Sequence, residues 1–168
     1  MAKLWQKGYE LDRLVEEFTV GEDWKLDREL VISDSLASIA HAMGLERIGV
    51  LTADETAALK EALAGIIREA AGGDFTIRIS DEDGHTAIEN ILVERLGEAG
   101  KKIHTGRSRN DQVLAALRLF GRDASFRILE EGIELVRALL SCAEETQHVP
   151  MVGRTHMQAA MPSTAGLW

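Results

Sequence analysis

The sequence predicts an all-α fold: an N-terminal helical domain over residues 1–100, then the beginning of a long-helix bundle domain over residues 101–168. Three observations predict it. Apolar residues recur at helical spacing along almost the whole chain. The chain has only two prolines and 5% aromatic residues, and it is dominated by Ala, Leu, Ile, Glu and Arg, which form helices readily. One pattern also runs so far that a helix following it would be about 55 Å long at a rise of 1.5 Å per residue. A helix of that length cannot bury its apolar stripe against one small partner and belongs in a bundle.

Leu11, Leu14, Val15 and Phe18 fall at i, i+3, i+4 and i+7 and predict a first helix. Leu26, Leu30, Ile39, Ala40 and Met43 support a second, from about Asp27 to Met43, ended by Gly44. The third is the best marked. Thr52 with Glu55 three residues on forms a capping box, Leu59, Leu63, Ile66 and Ile67 form the apolar stripe, and Gly72-Gly73 ends it. Phe75 to Ile79 alternates, as either a short strand or an extended loop would. The polar turn Ser80 to His85 then caps a helix whose buried face is Ile88, Ile91, Leu92 and Leu96, stopped by Gly97 and Gly100.

The long helix follows. Val113, Leu117, Phe120, Ala124 and Ile128 carry its stripe, and Leu129, Ile133, Val136 and Leu140 continue it after a one-residue phase shift, to about Gln147. Only one such helix is present, and a further apolar segment opens at Thr164 just before Trp168. The expectation is a folded N-terminal domain followed by the start of a larger helical domain that is cut off.

With 168 residues, 45% of them hydrophobic, the chain can bury a sizeable core. Its net charge of −9 argues against nucleic acid as a partner, because phosphate binding needs a basic face. The acidic excess, at residues such as Glu16, Glu17, Glu130, Glu131, Glu144 and Glu145, reads as solubility. The single cysteine, Cys142, has no internal disulfide partner and reads as a small buried hydrophobe. No secretory h-region follows Met1 and no apolar run approaches the roughly 20 residues of a membrane span, so the expectation is no membrane and a cytoplasmic, reducing compartment.

Three clusters carry chemistry. The densest is His104-Thr105-Gly106-Arg107-Ser108-Arg109-Asn110-Asp111-Gln112, directly before the long helix. Arginine forks match carboxylates, Ser, Thr and Asn add donors of fixed reach, and a helix start adds unpaired N–H groups, so the run suits a small multi-anionic molecule. The plainer alternative is a loop whose arginines pair with nearby acids and whose Asn110 or Asp111 caps the helix, and capping is the role expected of Asp111. The second cluster is Pro150 to Gln158, where His156 lies between Thr155 and Met157-Gln158. One ring nitrogen can be oriented by a neighbour while the other works on a substrate; the alternative is a hydrogen-bonded structural histidine. The third is Glu82-Asp83-Gly84-His85, whose spacing fits no strong metal template and whose acids a capping turn explains. His41 reads as structural, and His148 as a cation at a helix end. There is no glycine-rich phosphate loop, nucleophile elbow or Cys/His metal spacing, so neither a cofactor nor a metal is expected.

Together these clusters resemble the fumarase/aspartase superfamily and, within it, the argininosuccinate lyases. Gly100 through Gln112, continuing into Val113 and Leu117-Arg118-Leu119, resembles the first signature region of those lyases, and Gly153-Arg154-Thr155-His156-Met157-Gln158-Ala159-Ala160-Met161-Pro162 the second. Glu82 to Glu89 is similar to their acidic-histidine segment, and Lys3-Leu4-Trp5 to their opening. The resemblance implies a reversible β-elimination that splits argininosuccinate, the small-molecule substrate, into arginine and fumarate, with no cofactor. It implies that Asn110 binds substrate, with Ser108 and Arg109 shaping the same loop as part of the binding set. By the same likeness Thr155 holds a substrate carboxylate, His156 is the catalytic histidine that transfers the proton or orients its transfer, and His85 lines the site. It implies a homo-oligomer, a tetramer whose active sites are each assembled from three subunits.

The chain departs from the family pattern in three places. Phe18-Thr19-Val20-Gly21-Glu22-Asp23 lacks the serine that commonly follows a Phe-Asn pair. Leu114-Ala115-Ala116 stands where Ala-Thr-Asp is usual. No stretch of the 168 residues matches the third signature, a mobile loop that supplies the catalytic serine and a substrate-binding lysine. The expectation is therefore that these residues alone are inactive. Two other readings stand beside it: another superfamily lyase such as adenylosuccinate lyase, or a non-catalytic helical module that associates with itself through the long stripe.

Overall fold

The structure, a computed structural model, describes residues 13–168, apart from the side chains at 13, 16 and 17. Leu11 and the Lys3-Leu4-Trp5 opening lie outside the described residues. The described chain is helical apart from connecting segments and one two-stranded sheet. The helices are α1 (Arg13–Val20), α2 (Asp23–Leu26), α3 (Val31–Arg47), α4 (Ala53–Gly72), α5 (Gly84–Leu96), α6 (Glu98–Lys102) and α7 (Arg109–Thr146), and the strands are β1 (Pro150–Thr155) and β2 (Gln158–Thr164). Short 3-10 turns lie at Asp27–Glu29 and Ile79–Asp81. The chain divides into two compact units, Met1–Gly121 and Arg122–Trp168, and the boundary falls within α7.

In the first unit, α3, α4 and α5 enclose the core. Val31, Ala42, Leu45, Leu51, Leu59, Leu63, Ile66, Ala87, Ile88, Leu92 and Ile103 are all buried there. The capping box at the start of α4 forms as the sequence predicts: the Thr52 N–H donates to Glu55 Oε2 at 2.9 Å, and the Glu55 N–H to Thr52 Oγ1 at 3.2 Å. The helix ends at Gly73, whose φ of 82° permits the reversal; the Gly73 and Asp74 N–H groups close onto the Ala70 and Glu69 carbonyls. The Phe75 to Ile79 alternation resolves as extended loop running into the 3-10 turn at Ile79, with Phe75 and Ile77 packed into the core and no partner strand among the described residues.

α3 differs from expectation at both ends and on its buried face. It starts at Val31 and runs through Gly44 to Arg47. Leu45 is buried one residue past Gly44, so packing carries the helix over the glycine. The stop comes at Gly49, with φ 77°, where Gly49 N–H bonds the Glu46 carbonyl and Val50 N–H the Leu45 carbonyl. Ala40 and Met43 face outward, and the buried side instead carries Ser33, Asp34, Ser35 and Ser38. In α1, Leu14, Val15 and Phe18 are exposed.

Gly100 does not stop α5. It lies inside α6, where a Cβ would stand 2.4 Å from the Leu92 carbonyl oxygen, so its bare backbone lets α6 rest against α5. Glu55, already part of a cap, also takes Lys102 Nζ at 2.6 Å and ties α6 to α4.

In the second unit, α7 leads into an antiparallel hairpin that the sequence does not announce. Pro150 pairs with Thr164 and Thr155 with Gln158, with an irregularity between Val152 and Arg154. The segment from Ala165 folds back onto the end of α7: Ala165 N–H reaches the Val149 carbonyl and Gly166 N–H the Thr146 carbonyl. A Cβ on Gly166 would lie 2.3 Å from the Ala143 carbonyl oxygen. The predicted stripe of α7 is largely open: Ile128, Leu129, Ile133, Val136 and Leu140 are all exposed, and so is Cys142, against its expected burial. An apolar helix flank without a covering layer leaves even a small thiol in solvent. Among the described residues no helix is long and apolar enough to cross a membrane.

Candidate functional site

The first unit assembles its polar groups around one buried carboxylate. Asp34, 1% exposed, stands on the inner face of α3 where the helical pattern would place an apolar residue. An ionised group buried to this extent requires partners on both oxygens. Gln112 Nε2, from the first turn of α7, donates to Oδ1 at 2.8 Å and Oδ2 at 2.9 Å. His85 Nδ1, from the first turn of α5, meets Oδ2 at 2.5 Å, and the Ser38 hydroxyl reaches Oδ1 at 3.3 Å. Ser38 Oγ accepts in turn from Arg107 at 3.1 Å. Three helices and the arginine-rich run are thus joined through a single carboxylate.

Burial works against a charge on His85, yet its pKa lies above the ordinary histidine value. The bond to Asp34, the charge of Asp34, and the charges of Asp83 and Asp27 outweigh desolvation. Asp27 is half-buried and accepts the Gly84 N–H at 2.8 Å; burial holds its carboxyl above the usual range. His41 moves the other way, lowered first by burial and then by the charge of Arg107, while its Nε2 lies 3.0 Å from the Thr105 carbonyl. Arg107 is itself partly desolvated, its Nε buried without a hydrogen-bond partner.

The second arginine of the run is engaged as well. Arg109 reaches Asp83 Oδ2 at 2.6 Å and Thr86 Oγ1 at 2.9 Å. Asp83 caps α5 through the Thr86 N–H at 2.7 Å, as its position in the polar turn predicts. Ser108 and Asp111 form a reciprocal cap on α7: the Ser108 N–H donates to Asp111 Oδ2 at 2.9 Å and the Asp111 N–H to Ser108 Oγ at 3.3 Å. The Ser108 bond holds the Asp111 carboxyl below its usual range. With its neighbours anchored in this way, Asn110 remains exposed in the first turn of α7. The structure therefore brings His85, Ser108, Arg109 and Asn110 into one unit and uses Arg107 and Arg109 inside the protein.

Thr155 and His156 belong to the second unit. Thr155 closes β1, and His156 and Met157 form the two-residue turn before Gln158. Both turn residues are left-handed, with φ 49° and 61°. Such hairpin turns normally use Asn-Gly, so His-Met stores backbone strain at the tip. His156 is exposed and Met157 is 96% exposed. The missing Asn-Gly signal is why the hairpin escapes a reading of the sequence.

Asp34, Ser38 and Asp27 carry the geometry but receive no role from the sequence, and Gln112, read there as part of the polar run, turns inward to Asp34. A usable signal was present: Ser33, Asp34, Ser35 and Ser38 interrupt the apolar spacing of α3 within two turns. Among the described residues no group of three or more His, Cys, Asp or Glu side chains could hold a metal ion.

A family model described as Lyase matches residues 7–168. The chain is 47% identical over 166 residues to an argininosuccinate lyase of Sorangium cellulosum, an alignment covering 99% of this chain and 39% of that one. It is 46% identical over 166 residues to an argininosuccinate lyase of Thermotoga neapolitana, covering 99% and 42%. The chain thus spans about two-fifths of the length of these curated relatives. Among solved structures it is similar to a fumarate lyase:delta crystallin from Brucella melitensis, with TM-score 0.73 and 22% identity over 92% of this chain and 39% of that one, a likeness of fold.

Proposed function

Because the chain belongs to this lyase family, we propose that it is the N-terminal portion of an argininosuccinate lyase, cleaving argininosuccinate to arginine and fumarate. The observation that carries the proposal is the 47% identity across 166 residues, which takes in both the arginine-rich run and the Thr155-His156 segment.

The chemistry explains the residue types. A base removes a proton from the carbon beside a succinyl carboxylate. The electrons form the carbon–carbon double bond of fumarate, the C–N bond breaks, and the leaving guanidino nitrogen takes a proton. The intermediate is a doubly charged aci-carboxylate, and aimed donors stabilise it most. In our reading Asn110 binds the substrate and Thr155 holds one of its carboxylates, Ser108 and Arg109 shape the segment that carries Asn110, and His85 lies behind it. His156 transfers the proton or orients its transfer. The strained turn supports that role, because left-handed non-glycine residues gather at working sites. Residues 101–168 begin the bundle domain, the complete enzyme is a cytoplasmic homotetramer, and arginine biosynthesis is its setting.

Fumarate release, followed by ultraviolet absorbance, tests this. The 168-residue chain is expected to be inactive alone and to gain activity when mixed with the region of the Sorangium cellulosum relative that it does not match. Activity of the chain alone would overturn the assignment of the catalytic serine to a region outside these residues. If the two pieces associate and stay inactive, the lyase reading fails. The exposed stripe of α7 supports what would then remain, a helical module that associates with itself.

A further inference from the structure

We propose that Asp34 is a positioning residue for the candidate substrate site: by holding Gln112 it fixes the rotation of α7 about its own axis and so sets where Asn110 points. This rests on the lyase reading for what Asn110 does, but not for how it is held.

The geometry is that of a short helical turn. Arg109, Asn110 and Gln112 all lie in the first turn of α7. At 3.6 residues per turn, Asn110 stands about 200° around the helix from Gln112. Gln112 is buried, and so is Ala116, four residues on and on the same face. Driving Gln112 inward therefore sends Asn110 outward, which is where it lies. Arg109, three residues before Gln112, shares the inner side and makes the second anchor through Asp83 and Thr86.

Gln112 is the more deeply buried anchor, and its Nε2 donates to both oxygens of one carboxylate. That carboxylate cannot drift. Asp34 lies in the first turn of α3, with His85 from α5 on one oxygen and Ser38 on the other. Alanine at 112 would complete an apolar seam with Ala116, so a glutamine over a buried acid is not what packing alone requires. What the pair supplies is direction: a hydrogen bond to a charged group has a fixed geometry, whereas an apolar contact tolerates rotation.

The test uses Asp34→Asn, which preserves size, and Gln112→Leu, which preserves burial while removing the bond. In the 168-residue chain, amide hydrogen exchange is measured for the first two turns of α7 and for the Leu59–Ile66 stretch of α4. Tenfold or faster exchange in α7, with α4 unchanged, is expected for both variants. Unchanged exchange in α7, or equal loss of protection in α4, would overturn the proposal, the latter by showing that Asp34 merely supports the core.

The same variants are then assayed in the reconstituted lyase. A partly unfolded enzyme has fewer active molecules, which lowers kcat and leaves KM alone. A misdirected Asn110 weakens substrate binding and raises KM. A KM raised at least fivefold is expected, and a drop in kcat at constant KM overturns the positioning role. If the unsubstituted mixture is inactive, it is the lyase reading that fails, and the exchange measurement still decides whether Asp34 orients α7.

Discussion

At the scale of single residues, His85 is where opposing forces meet. Burial favours the neutral ring, while Asp34, Asp83 and Asp27 favour the cation and prevail. Its folded pKa therefore lies above its unfolded one, near 6.5. The stabilisation is complete below that unfolded value and is lost as pH rises through the folded one. His41, depressed by burial and Arg107, gives the opposite slope, but only below the same value of about 6.5. Above it, His85 acts without that opposition. The melting temperature of the chain is expected to fall as pH is raised from about 6.5, and His85→Gln should flatten that slope. A thermal melt series in buffers of constant ionic strength checks both. An equal slope in the variant would show that the imidazole is not its source.

At the scale of elements, the legible parts of the sequence were those where local chemistry decides. Thr52 with Glu55, Asp83 before α5, and Asp111 at the start of α7 each cap a helix whose first N–H groups need acceptors close by, Ser108 joining Asp111 as the unread half of its cap. Other features depend on contacts distant in sequence. α3 overruns Gly44 because Leu45 has a place in the core, and Asp34 is tolerated inside because partners arrive from residues 85 and 112. The β1–β2 hairpin lacks glycine in its turn, so nothing local marked it. Of the candidate site, the residues on the arginine-rich run and beside His156 could be read directly, whereas the carboxylate joining the first group could not. Gly100 depends instead on a contact with the neighbouring helix a few residues back. Gly100→Ala forces a Cβ into the Leu92 carbonyl, which requires α6 to move off α5. A loss of about 1–3 kcal/mol is expected in urea unfolding, as for other overpacked contacts. Gly44→Ala, with open space around it, supplies the control and should not destabilise.

At the scale of the whole molecule, the second unit presents more apolar surface than a solitary helix sustains. Leu129, Ile133, Val136 and Leu140 line successive turns of α7 and remain exposed. Such a face drives association. The chain is expected to sediment as a species heavier than its 18.5 kDa monomer. Val136→Glu together with Leu140→Glu should return it toward the monomer while leaving the helical circular dichroism signal in place. A monomer at every concentration in the unsubstituted chain would contradict this.

The contact at Gly166 gives that face a further meaning. Because the last residues press against Ala143 with no room for a side chain, and bond to Thr146 and Val149, the hairpin has no free hinge at its base. Residues 122–146 and the tip bearing His156 behave as one lever. If subunits of the proposed lyase meet on that stripe, the fit between them and the aim of His156 are set by the same contacts. Damage to that seam would then alter the proposed chemistry as well as the assembly.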